Sequence, residues 1–224
     1  MGTTRRLSIV LMALSVLAPA IGRADIPAPF TGSRSSSNAA QIFATDGWAN
    51  GGFSITWSIS QTGTVFEYTY TIRQDTGAPL SKGLSHLLLE VSDAFGTADI
   101  WDLSGASLNG IATIVPPHHG NPGLPATIYA MELDTNGSTT PTIKFKSTRA
   151  PVWGDFYAKD GTDAGSDVYA YNKDFGKDPA SFADFSGFIA RPDTRPIIPE
   201  PVFFQLGALV GLGGLGMLRM RRRG

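Results

Sequence analysis

The sequence contains no cysteine among its 224 residues. The chain therefore has no disulfide framework, no thiolate ligand for a metal and no cysteine nucleophile, and its fold must depend on core packing alone. It also lacks the G-x-S-x-G pattern of serine hydrolases and the H-E-x-x-H pattern of zinc peptidases. Because no catalytic motif is present, we expect a protein that is not an enzyme.

The central part of the chain is also poor in basic residues. The whole sequence has 18 Lys and Arg against 19 Asp and Glu, which gives a net charge of −1. Residues 25–198 keep only 11 of the basic residues but 18 of the acidic ones, so this segment carries −7. An acidic body without a basic patch argues against nucleic acid and anionic lipid surfaces as partners.

Long apolar runs are confined to the two ends of the chain. Near the N-terminus, Arg5 and Arg6 precede an apolar run at residues 7–20, and Ala24 follows as a small residue suited to cleavage. This order is typical of a secretory signal peptide. We expect residues 1–24 to engage the Sec translocon and to be removed by signal peptidase; an uncleaved N-terminal anchor is the alternative.

The second apolar run lies at residues 202–218. As a helix it would extend about 25 Å, which suffices for a thin bilayer or for a span completed by snorkelling side chains. Basic residues fill the tail at 219–224, namely Arg219, Arg221, Arg222 and Arg223. The positive-inside rule places such a tail in the cytoplasm. We therefore expect a C-terminal transmembrane helix that retains the precursor in the inner membrane.

Pro199, Glu200 and Pro201 stand directly before this span. A Pro-Glu-Pro tripeptide, a short span rich in Gly and Leu and a terminal arginine cluster together resemble the PEP-CTERM sorting signal of exported proteins in Gram-negative bacteria. The resemblance implies that an exosortase, a membrane protease-transpeptidase, recognises the tripeptide and removes the helix and tail. It also links the protein to exopolysaccharide and biofilm material. A plain C-terminal anchor helix is the alternative.

The body between these ends shows the period-two alternation of β-strands. Residues 53–60 alternate Phe, Ile and Trp with Ser and Thr, and residues 65–72 repeat the pattern after a glycine-containing turn, so a β-hairpin is predicted. Further short apolar runs, bounded by Gly, Pro or Asn, continue to residue 190. The pattern predicts an all-β domain at residues 41–190, folded as an antiparallel, jelly-roll-like β-sandwich.

Two segments that flank the body are rich in turn-forming residues. Residues 25–40 contain Pro, Ser and Gly, and we expect an extended lead-in with little order. Residues 191–201 contain four prolines, and we expect a stiff linker that holds the body away from the membrane. Within the body, residues 116–125 also contain four prolines and are predicted to form a loop.

Two groups of residues are weak candidates for metal binding. Asp160, Asp163 and Asp167 lie in an acidic, glycine-containing segment, where carboxylates could bind calcium, although a solvated turn is the more common explanation of such a pattern. His118 and His119 lie in the proline-rich loop and have no partner at the spacing of a zinc site. We expect no resident cofactor, with calcium as the one open possibility.

Three tryptophans are candidates for stacking on sugars, namely Trp48, Trp101 and Trp153. Each lies near a carboxylate, Asp46, Asp102 or Asp155, that could accept hydrogen bonds from sugar hydroxyls. Core packing is the alternative role for all three rings. The sequence leads us to expect an exported cell-envelope or extracellular-matrix protein without catalytic activity. A carbohydrate-binding module and an extracellular hydrolase are the alternatives.

Overall fold

The computed structural model describes residues 30–163 and 165–196. The predicted signal peptide at residues 1–24, the Pro-Glu-Pro motif, the transmembrane helix at 202–218 and the arginine tail lie outside these residues. Within the described part of the chain, no helix has the length and apolarity that a membrane span requires.

The described residues are organised almost entirely as β-strands. The strands in chain order are β1 (Phe30–Ser35), β2 (Ile42–Ala44), β3 (Ser54–Thr62), β4 (Val65–Arg73), β5 (Leu84–Glu90), β6 (Trp101–Ser104), β7 (Ser107–Ile114), β8 (Ile128–Ser138), β9 (Thr142–Ser147), β10 (Arg149–Gly154), β11 (Phe156–Asp163), β12 (Ser166–Asn172) and β13 (Ile189–Pro196). The helical elements are α1 (Asp46–Gly51) and two 3-10 turns, Thr97–Asp99 and Pro179–Ser181.

The strands form two large antiparallel sheets and one strand pair. The first sheet has five strands in the order β1-β3-β4-β9-β6, and the second has six in the order β2-β12-β11-β5-β8-β7. Strands β10 and β13 pair with each other. The prediction of an all-β, antiparallel fold is confirmed.

The main hydrophobic core lies between the two sheets. Ile55, Trp57 and Ile59 of β3 are buried, whereas the alternating Thr56 and Ser58 are exposed. The six-stranded sheet contributes Leu87, Met131 and Phe156 to the same core. Phe53 and Phe156 stack across the layers with ring centroids 6.1 Å apart. Period-two alternation thus places one face of each sheet in the interior and leaves the other as an outer face.

The β10-β13 pair is attached to the five-stranded sheet through two buried tyrosines. The Tyr68 hydroxyl donates to the Arg149 carbonyl at 2.6 Å, and the Tyr70 hydroxyl donates to the Ala190 carbonyl at 2.9 Å. Burial raises the pKa of both phenols well above the ordinary value. These side chains are therefore neutral donors that connect the strand pair to β4.

The structure corrects both predicted flanks of the body. Strand β1 forms within the supposed lead-in and pairs with β3 from Phe30↔Ile59 to Ser35↔Ser54. At the other end, β13 continues to Pro196 and pairs with β10, although a stiff linker was predicted from residue 191. Prolines are tolerated in β13 because it has only one partner strand, so some of its amide groups need no acceptor.

The structure also divides a mainly apolar stretch of the chain. Residues 151–158 lie within the predicted all-β domain, but Asp155 separates β10 from β11, and these two strands belong to different sheets. The break follows from the hydrogen bonds of Asp155, whose buried carboxylate accepts from Asn172 and Gly176 rather than lying on a flat strand.

Candidate functional site

Trp48 does not belong to a sugar-binding surface, contrary to the sequence-based prediction. Its side chain in α1 is fully buried and packs against Phe53 with ring centroids 4.9 Å apart. Its indole Nε1 donates to the Lys82 carbonyl at 3.0 Å. The ring is part of the core, and no sugar can stack on it in this fold.

Trp153 is also engaged within the protein. Its ring stacks on Phe185 at 5.4 Å and contacts Trp57 edge to face at 6.0 Å. The Arg34 guanidinium lies 5.3 Å from its ring centroid. The neighbouring Asp155 is buried, so the predicted Trp-Asp pair is not presented to a ligand.

Trp101 is the one predicted tryptophan whose place remains compatible with ligand binding. It lies half-buried in β6, on the outer face of the five-stranded sheet, opposite Lys146 of β9. It borders an open groove of about 460 Å³, which we call the Trp101 groove; its lining consists of Ser60, Thr62, Val65, Glu67, Trp101 and Lys146. The groove combines one indole ring with exposed polar side chains.

The charge in the Trp101 groove is partly neutralised. Lys146 Nζ donates to Asp102 Oδ2 at 2.8 Å, and this hydrogen bond with the associated charge attraction raises the pKa of Lys146. Glu67 lies opposite Lys146 on the adjacent strand. The basic residue of this groove, Lys146, is therefore already bound to a carboxylate.

A second aromatic surface lies on the outer face of the six-stranded sheet. Tyr169 and Tyr171 project from the same side of β12, and Phe43 of the edge strand β2 lies opposite Tyr171. The Phe43 and Tyr171 centroids are 5.0 Å apart, and those of Tyr169 and Tyr171 are 6.3 Å apart with planes only 9° from parallel. We call Phe43, Tyr169 and Tyr171 the tyrosine face.

The proline-rich loop borders the tyrosine face and lines an open cavity. This cavity, the proline-loop cavity, has a volume of about 650 Å³. Its lining consists of Pro116, Pro117, His118, His119, Asn121, Pro122, Gly123, Leu124 and Asp167. Asp167 precedes Tyr169 by two residues on β12 and shares its outer face, but none of the three rings of the tyrosine face lines the cavity.

Buried hydrogen bonds fix the loop over the sheet. The Tyr157 hydroxyl donates to the Pro122 carbonyl at 2.6 Å, and His86 Nε2 lies 2.6 Å from Asn121 Oδ1. The Asn121 amide Nδ2 lies 3.1 Å from His118 Nδ1 and donates to it. Asn121, which is 3% exposed, therefore joins two histidines that are 32 residues apart in sequence.

The close approach of the loop to the sheet requires glycine at position 123. Gly123 has a φ of +68°, a conformation that other residues rarely adopt, and a Cβ atom built there would overlap the Tyr169 ring. The loop backbone therefore lies directly on Tyr169 and positions the cavity beside that ring.

Asp155 is a buried carboxyl with a strongly displaced pKa. Burial and the nearby Glu90 charge raise its pKa from 3.8 to about 7. A buried acid with a displaced pKa is one feature of hydrolytic sites. Here both oxygens accept hydrogen bonds within the fold, at 2.7 Å from Asn172 Nδ2 and 2.7 Å from the Gly176 amide, and the residue lines neither cavity described above. We assign Asp155 a structural role.

The predicted acidic loop is a β-hairpin rather than an open loop. Asp160 and Asp163 lie within β11 and Asp167 lies in β12, with Thr162 opposite Asp167. Among the described residues, no three His, Asp or Glu side chains are grouped so that they could hold a metal ion. Calcium binding by these aspartates stays a prediction.

Sequence reasoning missed the residues of the tyrosine face. The alternation of Asp167, Tyr169 and Tyr171 with Val168 and Ala170 was a usable signal for an aromatic outer face. No local pattern could connect Phe43 or His86 with this surface, because their contacts form only when distant strands pair. The comparisons with protein-family models, curated proteins and solved structures found no match for this chain.

Proposed function

We propose that this chain is an exported protein of a Gram-negative cell envelope or extracellular matrix, without catalytic activity of its own. The observation that carries this proposal is the order of signals in the sequence. A signal-peptide pattern opens the chain, and Pro199-Glu200-Pro201, an apolar span and four arginines close it. In this proposal an exosortase-like enzyme recognises the tripeptide and releases the body or transfers it to the cell surface.

The body suits such a destination. It has no cysteine, it is acidic, and its described residues form two antiparallel sheets packed around a main core, with a second, smaller buried cluster that includes Leu88, Tyr157 and Phe175. We propose a jelly-roll-like sandwich with the signal peptide before it and the transmembrane helix after it. Since β13 ends at Pro196, only Ile197 and Ile198 separate the last strand from the tripeptide. The enzyme would therefore act close to the folded body.

Replacement of Pro199, Glu200 and Pro201 by alanine tests the processing step. In a host with an exosortase, intact-mass analysis and fractionation should show a wild-type product that ends near the tripeptide. The variant should stay full-length in the membrane fraction. A matched triple alanine variant of the exposed residues Thr56, Ser58 and Lys144 should be processed like the wild type.

Three results would contradict this proposal. Normal processing of the variant at the tripeptide would show that the motif is not recognised. Full-length wild-type protein retained in the membrane would favour the plain anchor helix instead. An intact N-terminus on protein recovered from the cytosol would overturn export altogether.

Carbohydrate binding is a second candidate function. The Trp101 groove favours it, since a half-exposed indole lies beside exposed Ser60 and Glu67 on an outer sheet face. Apolar sugar faces pack on aromatic rings, while hydroxyls exchange hydrogen bonds with the polar groups around them. Extracellular polysaccharide is the corresponding partner. Titration of the protein with neutral oligosaccharides tests this function, and the absence of binding would refute it.

A further inference from the structure

We propose that Asn136 is a site of spontaneous covalent modification, at which its side-chain amide becomes a carboxylate through a cyclic imide formed with Gly137. The chain contains three Asn-Gly pairs, at residues 50–51, 109–110 and 136–137. This dipeptide is prone to the reaction because glycine has no side chain to hinder attack by its own backbone nitrogen. The fold places the three pairs in different surroundings, and these favour reaction at Asn136.

The reaction needs water as its only co-reactant. Solvent base removes the proton of the Gly137 amide, and the nitrogen attacks Cγ of Asn136. The new N–Cγ bond closes a five-membered ring, the Cγ–Nδ2 bond breaks, and the side-chain nitrogen leaves as ammonia. Water then opens the ring at either carbonyl, which gives aspartate or isoaspartate and adds one negative charge to the acidic body.

Asn136 lies in an irregular segment of β8, where the strand leaves its ladder with β5. The register of the two strands shifts between Leu84 and His86, and no residue of β5 is paired with Asn136 or Gly137. Both residues are exposed and have positive φ values, 53° and 70°. A regular ladder therefore does not hold the backbone at this position.

The side chain of Asn136 can approach the backbone nitrogen of Gly137 without losing a contact. The Asn136 backbone amide donates to Asp134 Oδ1 at 2.7 Å, but the side chain makes no hydrogen bond with any residue that the structure describes. A Cβ atom built at Gly137 would meet no other atom within 4 Å. The space around the reacting atoms is therefore open to water.

Asn109 is exposed as well, but its side chain is already bonded. Its Nδ2 atom donates to Glu132 Oε1 at 3.2 Å. Gly110, whose nitrogen would have to attack, is paired with Glu132 in the ladder of β7 and β8. Ring closure at Asn109 must break the hydrogen bond to Glu132 and displace a backbone that is paired with β8.

Asn50 is constrained by the helix that contains it. Asn50 and Gly51 are the last two residues of α1, where backbone amides donate to carbonyls of the preceding turn. Ring closure rotates the peptide unit that follows Asn50, so the last turn of the helix must unwind first. Gly51 is also packed closely, since a Cβ atom built there would lie 3.0 Å from Ser81 Oγ.

Incubation of the full-length chain in detergent at mildly alkaline pH, followed by peptide mapping with mass spectrometry, tests this ranking. Asn136 should convert about tenfold or more faster than Asn50 or Asn109, which corresponds to a barrier lower by about 1.4 kcal/mol. The rate should fall at mildly acidic pH, because less of the attacking amide is deprotonated. Anion-exchange chromatography should show an acidic species that accumulates in the wild type but not in Asn136→Gln.

The same chain unfolded in urea is the matched control. Without the fold, the three identical dipeptides should convert at similar rates. Glu132→Ala removes the acceptor of the Asn109 side chain and should speed conversion at Asn109, while Asn136 reacts as in the wild type. Circular dichroism establishes that Glu132→Ala and Asn136→Gln are folded, and the peptide map of the wild type decides the ranking without either variant.

The assignment is wrong if Asn50 or Asn109 converts as fast as Asn136 in the folded chain. It is equally wrong if Asn136 stays intact over a period in which the unfolded chain converts, since the irregular segment would then protect it. A lead of Asn136 that persists unchanged in urea would show that local sequence, and not the fold, produces the ranking. None of these results depends on export or processing, so the proposed function is tested separately.

Discussion

The buried carboxyl of Asp155 makes the stability of this protein depend on pH in an unusual direction. Asp155 joins the β10-β11 corner to β12 and to the loop after it, through hydrogen bonds from Asn172 and Gly176. Burial, followed by repulsion from Glu90, raises its pKa to about 7, although the hydrogen bonds from Gly176 and Asn172 and the charge of Arg191 partly compensate. Asp155→Asn replaces the ionisable group with a neutral one of the same shape.

The magnitude follows from the difference in proton binding between the two states. The unfolded chain releases this proton near pH 3.8, whereas the folded protein keeps it until about pH 7. The contribution of Asp155 to the free energy of unfolding is therefore fully present below pH 3.8. It falls as the pH rises from 3.8 to about 7 and stays constant above that range. The pKa values of Asp155 in the folded and unfolded states differ by about three units. Because each unit corresponds to about 1.4 kcal/mol, the free energy of unfolding changes by about 4 kcal/mol.

Urea unfolding followed by tryptophan fluorescence, at intervals from pH 4 to pH 8, measures this effect. The free energy of unfolding of the wild type, relative to that of Asp155→Asn, should fall by about 4 kcal/mol over this range. Asp184→Asn is the matched control. Hydrogen bonds from Ser186 lower the pKa of exposed Asp184, so its contribution is lost as the pH falls. The reasoning would be refuted if the free energy of unfolding of the wild type, relative to that of Asp155→Asn, stayed constant or rose with increasing pH.

Two further predictions concern packing at other positions. Arg149→Met should destabilise the protein by about 3 kcal/mol, because the buried guanidinium donates to both oxygens of Asp99 at 3.0 and 2.8 Å. Urea unfolding measures this effect. An unchanged unfolding midpoint would show that the Arg149-Asp99 pair contributes nothing to stability. Gly105→Ala should lower stability by about 2 kcal/mol or more, since φ is +77° there and a Cβ would overlap the Thr142 carbonyl. A melting temperature within error of the wild type would contradict the second prediction.

The hairpin of β3 and β4 was predictable because its signal is local. Alternation of apolar and polar residues fixes which side chains share a face, and register follows once the turn is known. The turn is tight, since Thr62 pairs with Val65 and only Gly63 and Thr64 connect the strands. Gly63 adopts a φ of +62°, as this tight connection requires.

The corner at Asp155 could not be predicted from the sequence, because it depends on contacts between residues that are distant along the chain. Residues 151–158 look like one apolar strand, and only the buried partners Asn172 and Gly176, which lie 17 and 21 residues further on, bend the chain there. In the sequence, Trp48, Trp101 and Trp153 were likewise equal candidates for sugar binding. Their exposure differs because α1 folds Trp48 into the core and Phe185 covers Trp153, whereas Trp101 lies on an outer face.

The sequence by itself determined the acidic charge of the body, the absence of disulfides and the all-β character. It also led to the prediction of a signal peptide and a sorting signal at the two ends. These properties depend on composition or on neighbours within a few residues, so they can be predicted without knowledge of the fold. Only the tertiary structure decided which aromatic rings meet solvent, and which histidines share Asn121. Period-two alternation distinguishes the two faces of a strand, but the pairing of distant strands decides what covers each face.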